Sequence, residues 1–240
     1  MTLVVFAKLE KVPWLIDETE EASKVLKHFV SIKHQFMPYL YSQAITTHRT
    51  GIPMLRAMFL EYASDPAVWY LDQQYMLGDS LLVAPVFSED NSVTYYLPKG
   101  EWYGILDKKI RTGPGYVTES FDFFGLPVLL KPGGAVAMGK GGEKVEYDWA
   151  DGFKLLVNIE EGMDITVDLP HHENLGESVL SLRINASESE ASVDVIEGKA
   201  SSAWELVVVN KKINSADGGN VSSEGVVLVA ADASKVVITL

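Results

Sequence analysis

The sequence contains no cysteine, which excludes disulfide staples, thiolate nucleophiles and cysteine-ligated metals and leaves the redox compartment open. No apolar run approaches the roughly 20 residues that span a bilayer. The opening MTLVVFAKLEKVPW lacks an early basic segment and a small-residue cleavage pattern, so no secretory signal is expected and a cytoplasmic location is the default. Basic side chains are scarce: 20 Lys and Arg face 33 Asp and Glu, a net charge of −13. The deficit is uneven, with 13 basic against 15 acidic residues over 1–140 and 7 against 18 over 141–240. Phosphate backbones and anionic lipids repel such a polyanion, so neither nucleic acid nor a membrane is expected as a partner. The acid excess reads as a solubility feature. There is also no glycine-rich phosphate loop, no nucleophile elbow and no zinc-ligand spacing, so no cofactor and no metal is expected.

What is present is ordinary for a globular chain: 47% hydrophobic and 22% charged residues over a length of 240. That is enough for two modest domains, each with its own core. Asp17 followed by Glu20 has capping-box spacing and predicts a helix start. Ala22, Val25, Leu26, Phe29, Ile32 and Phe36 then recur at three- and four-residue steps on one helical face. Pro38 removes a backbone donor and should kink or divide the helix; Tyr39–Thr50 continues it and Gly51 stops it.

After Gly51 the pattern changes to short apolar runs: Met54–Tyr62, Tyr75–Val86, Val93–Leu97, Trp102–Leu106, and Leu126–Met138 with a break at Pro132–Gly134. These predict strands, the run from Tyr75 reading as a buried strand pair about a Gly78-Asp79 turn, with turns at Pro98–Gly100 and Gly113–Gly115 and no further helix. The glycine-rich GKGGEK stretch at Gly139–Lys144 reads as a flexible linker and places a domain boundary there. Beyond it, Lys154–Ile159, Ile165–Leu169, Val179–Ile184, Val193–Ile196, Trp204–Val209, Val226–Ala230 and Val236–Leu240 predict seven strands. Polar spacers separate them at Asn174–Gly176, Asn185–Glu190 and Asp217–Asn220. The expected fold is mainly β: a kinked amphipathic helix over residues 1–50, a proximal antiparallel β-sandwich over 51–140 and a distal acidic one over 141–240.

Candidate sites resolve into structural roles. Asp72, Asp79, Glu89, Asp90, Asp107 and Asp122 could include a catalytic carboxylate pair, but they sit at turns and strand ends, where acids serve solvation and local hydrogen bonding. His28, His34 and His48 lack the four-residue step of a two-histidine metal site. His171, His172 and Glu173 follow Pro170 in a turn and read as a solvated loop. Trp14, Trp69, Tyr70, Tyr95, Tyr96, Trp102 and Tyr103 could stack on sugar rings. Core and interface packing is the expected use, one member of each adjacent pair facing inward. Arg56, among apolar residues, predicts a buried structural ion pair. The sequons at Asn185 and Asn220 would matter only in a secreted chain.

Six ordered blocks carry a resemblance: VPWLIDE (Val12–Glu18), PYLYSQA (Pro38–Ala44), GIPMLRAMFLEY (Gly51–Tyr62), QQYMLGDSLLVAPVFSED (Gln73–Asp90), YYLPKGEW (Tyr95–Trp102) and FDFFGLPVLLKPGGAVAMG (Phe121–Gly139). Together they resemble the end of the catalytic barrel and the segment after it in glycoside hydrolase family 31, the helix over residues 1–50 corresponding to the barrel's last helix, and the wording from Tyr70 to Asp90 is most similar to the α-xylosidases. The resemblance implies retaining hydrolysis of α-xylosyl or α-glucosyl residues by two aspartates on barrel strands upstream of the VPW block. It therefore assigns no catalytic residue to this chain. The expectation is a non-catalytic C-terminal part whose partner is the catalytic barrel of a parent enzyme or homologue, with an oligosaccharide as substrate. The alternatives are an α-glucosidase-type member of the same family, a free-standing carbohydrate-binding β-sandwich, and a scaffold partner of an intact homologue.

Overall fold

The computed structural model describes residues 19–142, 144–171, 173–174 and 176–240. Trp14, Asp17 and His172 lie outside the described residues. Among the described residues two helices lead, α1 (Glu21–Gln35) and α2 (Met37–Thr50). Pro38 divides them as expected, occupying the first turn of α2, where a missing N–H is tolerated. Gly51 ends α2 in the left-handed conformation (φ 77°), its N–H bonded to the Thr47 carbonyl. The start of α1 differs from expectation. Glu20 takes the cap position itself at φ 61° and its side chain makes no capping bond, so it cannot act as the third helical residue of a capping box.

The sixteen described strands form three sheets. The proximal sheet has the order β1-β2-β3-β6-β4-β5, with β1 at Leu55–Arg56, β2 at Tyr75–Leu77, β3 at Leu81–Val83, β4 at Ser92–Gly104, β5 at Ile110–Ser120 and β6 at Val128–Leu130. Side chains alternate across a strand, and here both faces are apolar. Met76, Leu82 and Leu129 join Tyr95, Leu97 and Trp102 in one core. Leu81 and Leu130 point the other way, onto Phe36 and Tyr39 of the helices and onto Val136 and Leu156 of the distal part. The strand pair predicted around Gly78-Asp79 is therefore the layer between two cores.

Several local expectations change. Met54–Tyr62 is a two-residue strand followed by the short helix α3 (Met58–Glu61). Its Met, Leu and Glu are good helix formers, and Arg56 closes the turn by bonding the Pro53 carbonyl and Glu61. A second helical turn follows at Pro66–Val68, capped by the Asp65 carboxylate on the Ala67 N–H. Pro98–Gly100 is not a turn between two strands. It is a bulge inside β4, and Gly113–Pro114 lies opposite it inside β5 (Gly100 pairs with Gly113, Leu97 with Gly115). The two breakers thus meet across one hairpin and bend both strands together. Strand β5 itself was not expected, because as the sheet's edge it is exposed at every second residue and has little apolar signal.

The distal part is a sandwich of two five-stranded sheets. One has the order β13-β16-β11-β10-β9 and the other β14-β15-β12-β8-β7. Six of these strands are β7 (Ala135–Met138), β8 (Lys154–Val157), β9 (Asp164–Pro170), β10 (Ser178–Ala186), β11 (Glu190–Gly198) and β12 (Trp204–Val208). The others are β13 (Ser215–Asp217), β14 (Gly219–Val221), β15 (Val227–Val229) and β16 (Lys235–Thr239). All seven predicted distal strands are present. Strands β13 and β14 are additional: the Asp217–Asn220 stretch read as a spacer is the corner that passes from one sheet to the other, and it lacks apolar residues because it is an exposed margin. Pairing is antiparallel except for β8 with β12. Both sheets fill one core, in which Phe153 and Trp204 stack at 5.0 Å. Strand β7, on the proximal side of the expected 140/141 boundary, hydrogen bonds along β8 and belongs to the distal sandwich.

Candidate functional site

The seat of α2 brings two of the sequence blocks together. Tyr39 donates its hydroxyl hydrogen to the Leu77 carbonyl (2.7 Å) and accepts from the Ser80 N–H (3.0 Å), while Gln43 Oε1 accepts from the Asp79 N–H (3.2 Å). Burial first, and then the nearby Asp79 charge, push the Tyr39 phenol well above its ordinary range, so it stays neutral and can keep both bonds. Gly78 adopts φ 65°, and a Cβ there would fall onto the Tyr39 hydroxyl and within 2.6 Å of Gln43 Cγ. Glycine is required twice over, by backbone conformation and by the approach of the helix.

A second seat follows from Pro38. In an unbroken helix the N–H of residue 38 would bond the carbonyl of residue 34; proline has no N–H. The orphaned His34 carbonyl instead accepts the Tyr147 hydroxyl at 2.8 Å, and the Gln35 carbonyl accepts the Gly139 N–H at 2.8 Å. The His34 ring bonds the Gly142 carbonyl at 2.7 Å, and Tyr41 packs on Trp149. The glycine-rich stretch read as a flexible linker is therefore clasped onto the helix break over residues 139–142. Asn158, fully buried, completes the junction: its Nδ2 donates to the Glu101 (2.7 Å) and Leu130 (3.2 Å) carbonyls of the proximal sheet.

The candidate carboxylates occupy turns or an ion pair, or lie exposed. Asp90 is exposed and accepts from Ser88 Oγ and from Ser92 Oγ and N–H, and these bonds hold its carboxyl down at about 2. Asp122 accepts from the Phe124 N–H, and Asp79 from Ser80 Oγ. Asp72 and Glu89 are exposed. Asp107 is committed to Arg111. That arginine, which the sequence reading missed, is buried and bonds Asp107 (2.5 Å) and Glu119 (2.8 Å), while Tyr95 donates to Glu119 (3.1 Å). Burial alone would raise the Asp107 carboxyl; the Arg111 bonds outweigh it and lower it. Asp107 and Glu119 share one guanidinium, which braces the β4–β5 turn against β5. Arg56, also buried, pairs with Glu61 at 2.6 Å as expected.

The described histidines stay apart. His28 bonds the Phe124 carbonyl, His48 is exposed, and His171 Nδ1 accepts the Glu173 and Asn174 N–H groups. Among the described residues no cluster of three or more His, Asp or Glu could hold a metal. The aromatic pairs do not split uniformly into one inward and one outward member. Tyr95 and Tyr96 are both buried, the latter reaching Asp65 through its hydroxyl, whereas Trp69 and Tyr70 are both exposed. Only Trp102 and Tyr103 divide as expected, into buried and half-buried.

Exposed apolar side chains gather around β1 and α3. Ile52, Leu55, Phe59 and Leu60, around β1 and α3, are 45–61% exposed, and Trp69 and Tyr70 are 51% and 91% exposed. The Trp69 indole bonds the Ala63 carbonyl and so folds back toward α3. Phe87, Phe123 and Phe124 are also exposed, and Phe124 packs against His28 of α1. No residue of α1 is fully buried, although its stripe is apolar. Monomers rarely leave this much aromatic and aliphatic surface open. No helix among the described residues is long and apolar enough to cross a membrane.

Comparison with known proteins places these features. Residues 51–136 match the glycosyl hydrolase family 31 C-terminal domain, and residues 148–240 match the domain described as "Alpha-xylosidase YicI, C-terminal domain". An alpha-xylosidase of Emericella nidulans is 35% identical over 195 residues, 78% of this chain and 25% of the relative. Alpha-xylosidase XylQ of Lactiplantibacillus pentosus is 35% identical over 158 residues, 63% of this chain and 20% of the relative. The chain thus spans about a quarter or less of the length of these relatives. In fold it resembles a family 31 dextranase of Flavobacterium johnsoniae, with TM-score 0.76, 22% identity and coverage of 95% of this chain and 34% of the other. It also resembles a family 31 alpha-xylosidase of Xanthomonas citri, with TM-score 0.69, 21% identity and coverage of 85% and 24%.

Proposed function

We propose, on the premise that this chain belongs to glycoside hydrolase family 31 through its two C-terminal domains, that it is the non-catalytic C-terminal part of an α-xylosidase-like retaining enzyme. Its work is to brace a catalytic (β/α)8 barrel. The observation that carries this reading is the exposed apolar face around β1 and α3, where Ile52, Leu55, Phe59 and Leu60 lie open. Such a barrel takes about 250 residues, and the described residues form three sheets with a single parallel pair. The α-xylosidase branch is favoured over the α-glucosidases because the distal match and both 35%-identical relatives belong to it.

In this assignment residues 1–50 are the end of the barrel, 51–140 its proximal support and 141–240 the distal sandwich, with β7 contributed across the second boundary. The two bond-breaking aspartates belong to the barrel, and the substrate is an oligosaccharide with a terminal α-xylosyl residue. The test uses the chain by itself with p-nitrophenyl α-xyloside. Release at the buffer rate is expected, together with capture of a separately expressed barrel segment from a family 31 α-xylosidase. Turnover by the 240-residue chain would overturn the proposal.

A further inference from the structure

A cleft of about 150 Å³ opens where α2, the loop between β6 and β7, and strand β9 converge. Its polar lining is balanced in sign: Arg49 and Lys131 against Asp79 and Asp168, with Ser42 and Thr166 between them. Much of that hydrogen-bonding capacity is unused. Lys131 Nζ has no hydrogen-bond or ion-pair partner among the described residues. Arg49 spends one N–H group on the Gly176 carbonyl (2.9 Å). Asp168 accepts from Ser181 through Oδ1 (2.6 Å), and Asp79 accepts through Oδ1 alone; in both, Oδ2 is left over. An independent feature points the same way. Strand β9 is the last in its sheet and pairs only with β10, so alternate N–H and C=O groups along its outer edge have no strand partner. Among the described residues no backbone bond reaches Ile165–Asp168 from outside the sheet.

Two cations, two carboxylates and a bare strand edge within one small volume carry no net charge to attract an ion of either sign, and offer donors and acceptors side by side. Adjacent hydroxyl groups satisfy such a surface, since each can donate to a carboxylate while accepting from an ammonium or guanidinium. We infer that the cleft binds a neutral polyhydroxylated ring, one monosaccharide unit, at a position supplied wholly by this chain. The choice of a sugar among polyols rests on the carbohydrate-enzyme reading above. The site lies at the junction of the helix, the proximal sheet and the distal sandwich.

Calorimetric titration of the chain with xylose and with glucose, glycerol serving as the control polyol, tests the inference. Saturable millimolar binding of a sugar is expected. Lys131→Met and Asp168→Asn should each weaken it by about tenfold or more, with unchanged thermal midpoints; Asp168→Asn keeps the acceptor for Ser181. Absence of saturable binding to either sugar, equal binding of glycerol, or undiminished affinity in both variants overturns the inference. Barrel capture and α-xyloside turnover do not involve the cleft. Loss of sugar binding with intact capture therefore removes this site alone, and failed capture with intact sugar binding removes the bracing role alone.

Discussion

Arg111 shows how one residue can hold a loop and a strand at once. Its guanidinium spans Asp107, in the β4–β5 turn, and Glu119, eight residues along β5, from a position only 7% exposed at the side chain. Removing one partner of a buried cluster costs more than the cluster contributes, because the remaining charges stay desolvated and, here, repel each other. Arg111→Met is expected to lower unfolding stability by about 3 kcal/mol at neutral pH, measured by urea denaturation. The pH dependence has a definite sign. The Asp107 carboxyl lies below its ordinary 3.8 in the folded chain, so its contribution is fully present above that pH and is lost as pH falls through the folded value. The gap between wild type and Arg111→Met should accordingly narrow below about pH 3.8.

At the scale of elements, a missing donor explains a tertiary contact. Proline breaks the α1–α2 helix and strips two carbonyls of their partners, and the distal segment supplies replacements from Tyr147 and Gly139. This makes a coupling prediction. Tyr147→Phe should cost about 1–2 kcal/mol, the penalty for an unsatisfied carbonyl. In a Pro38→Ala background, where an N–H is restored to reach His34, the same change should cost about 1 kcal/mol less. A double-mutant cycle by chemical denaturation measures the difference, and additivity would show that the two groups do not compete for one acceptor. The bulge at Pro98–Gly100 follows a similar logic. Trp102 Nε1 caps the Pro98 carbonyl at 2.9 Å, so a residue that cannot donate to the ladder still leaves its carbonyl satisfied.

For the whole molecule, the distribution of apolar surface decides behaviour. The distal sandwich closes its own core, whereas the proximal sheet and α3 leave aromatic and aliphatic side chains in the open. In isolation the chain should associate with itself and bind hydrophobic dye. Replacing Leu55, Phe59 and Leu60, which are 61%, 47% and 52% exposed, by serine should shift a sizing profile toward monomer and lower dye fluorescence. It should do so without loss of the thermal transition, since none of the three packs in a core. A wild-type profile that is already a clean monomer with low dye binding would count against a covered face.

The sequence alone determined the mainly β class, the broken leading helix, the strand pair at Gly78-Asp79, the seven distal strands and the buried Arg56 pair. Each is written in a local signal: a 3.6-residue or two-residue period, a proline, a glycine at a turn, or a charge inside an apolar run. Tertiary structure decided the rest. Whether Pro98 and Gly113 make two turns or one bent hairpin depends on which strand lies opposite. Whether Gly139–Gly142 is a linker or a clasp depends on carbonyls orphaned a hundred residues earlier. The β13–β14 corner, the β5 edge and the cleft beside β9 are polar segments without periodicity, ordered by the neighbours that complete their hydrogen bonds or leave them open. A partner more than a few residues away in the chain leaves no mark on local patterning, because the energy of such a contact is realised only when the fold brings both halves together.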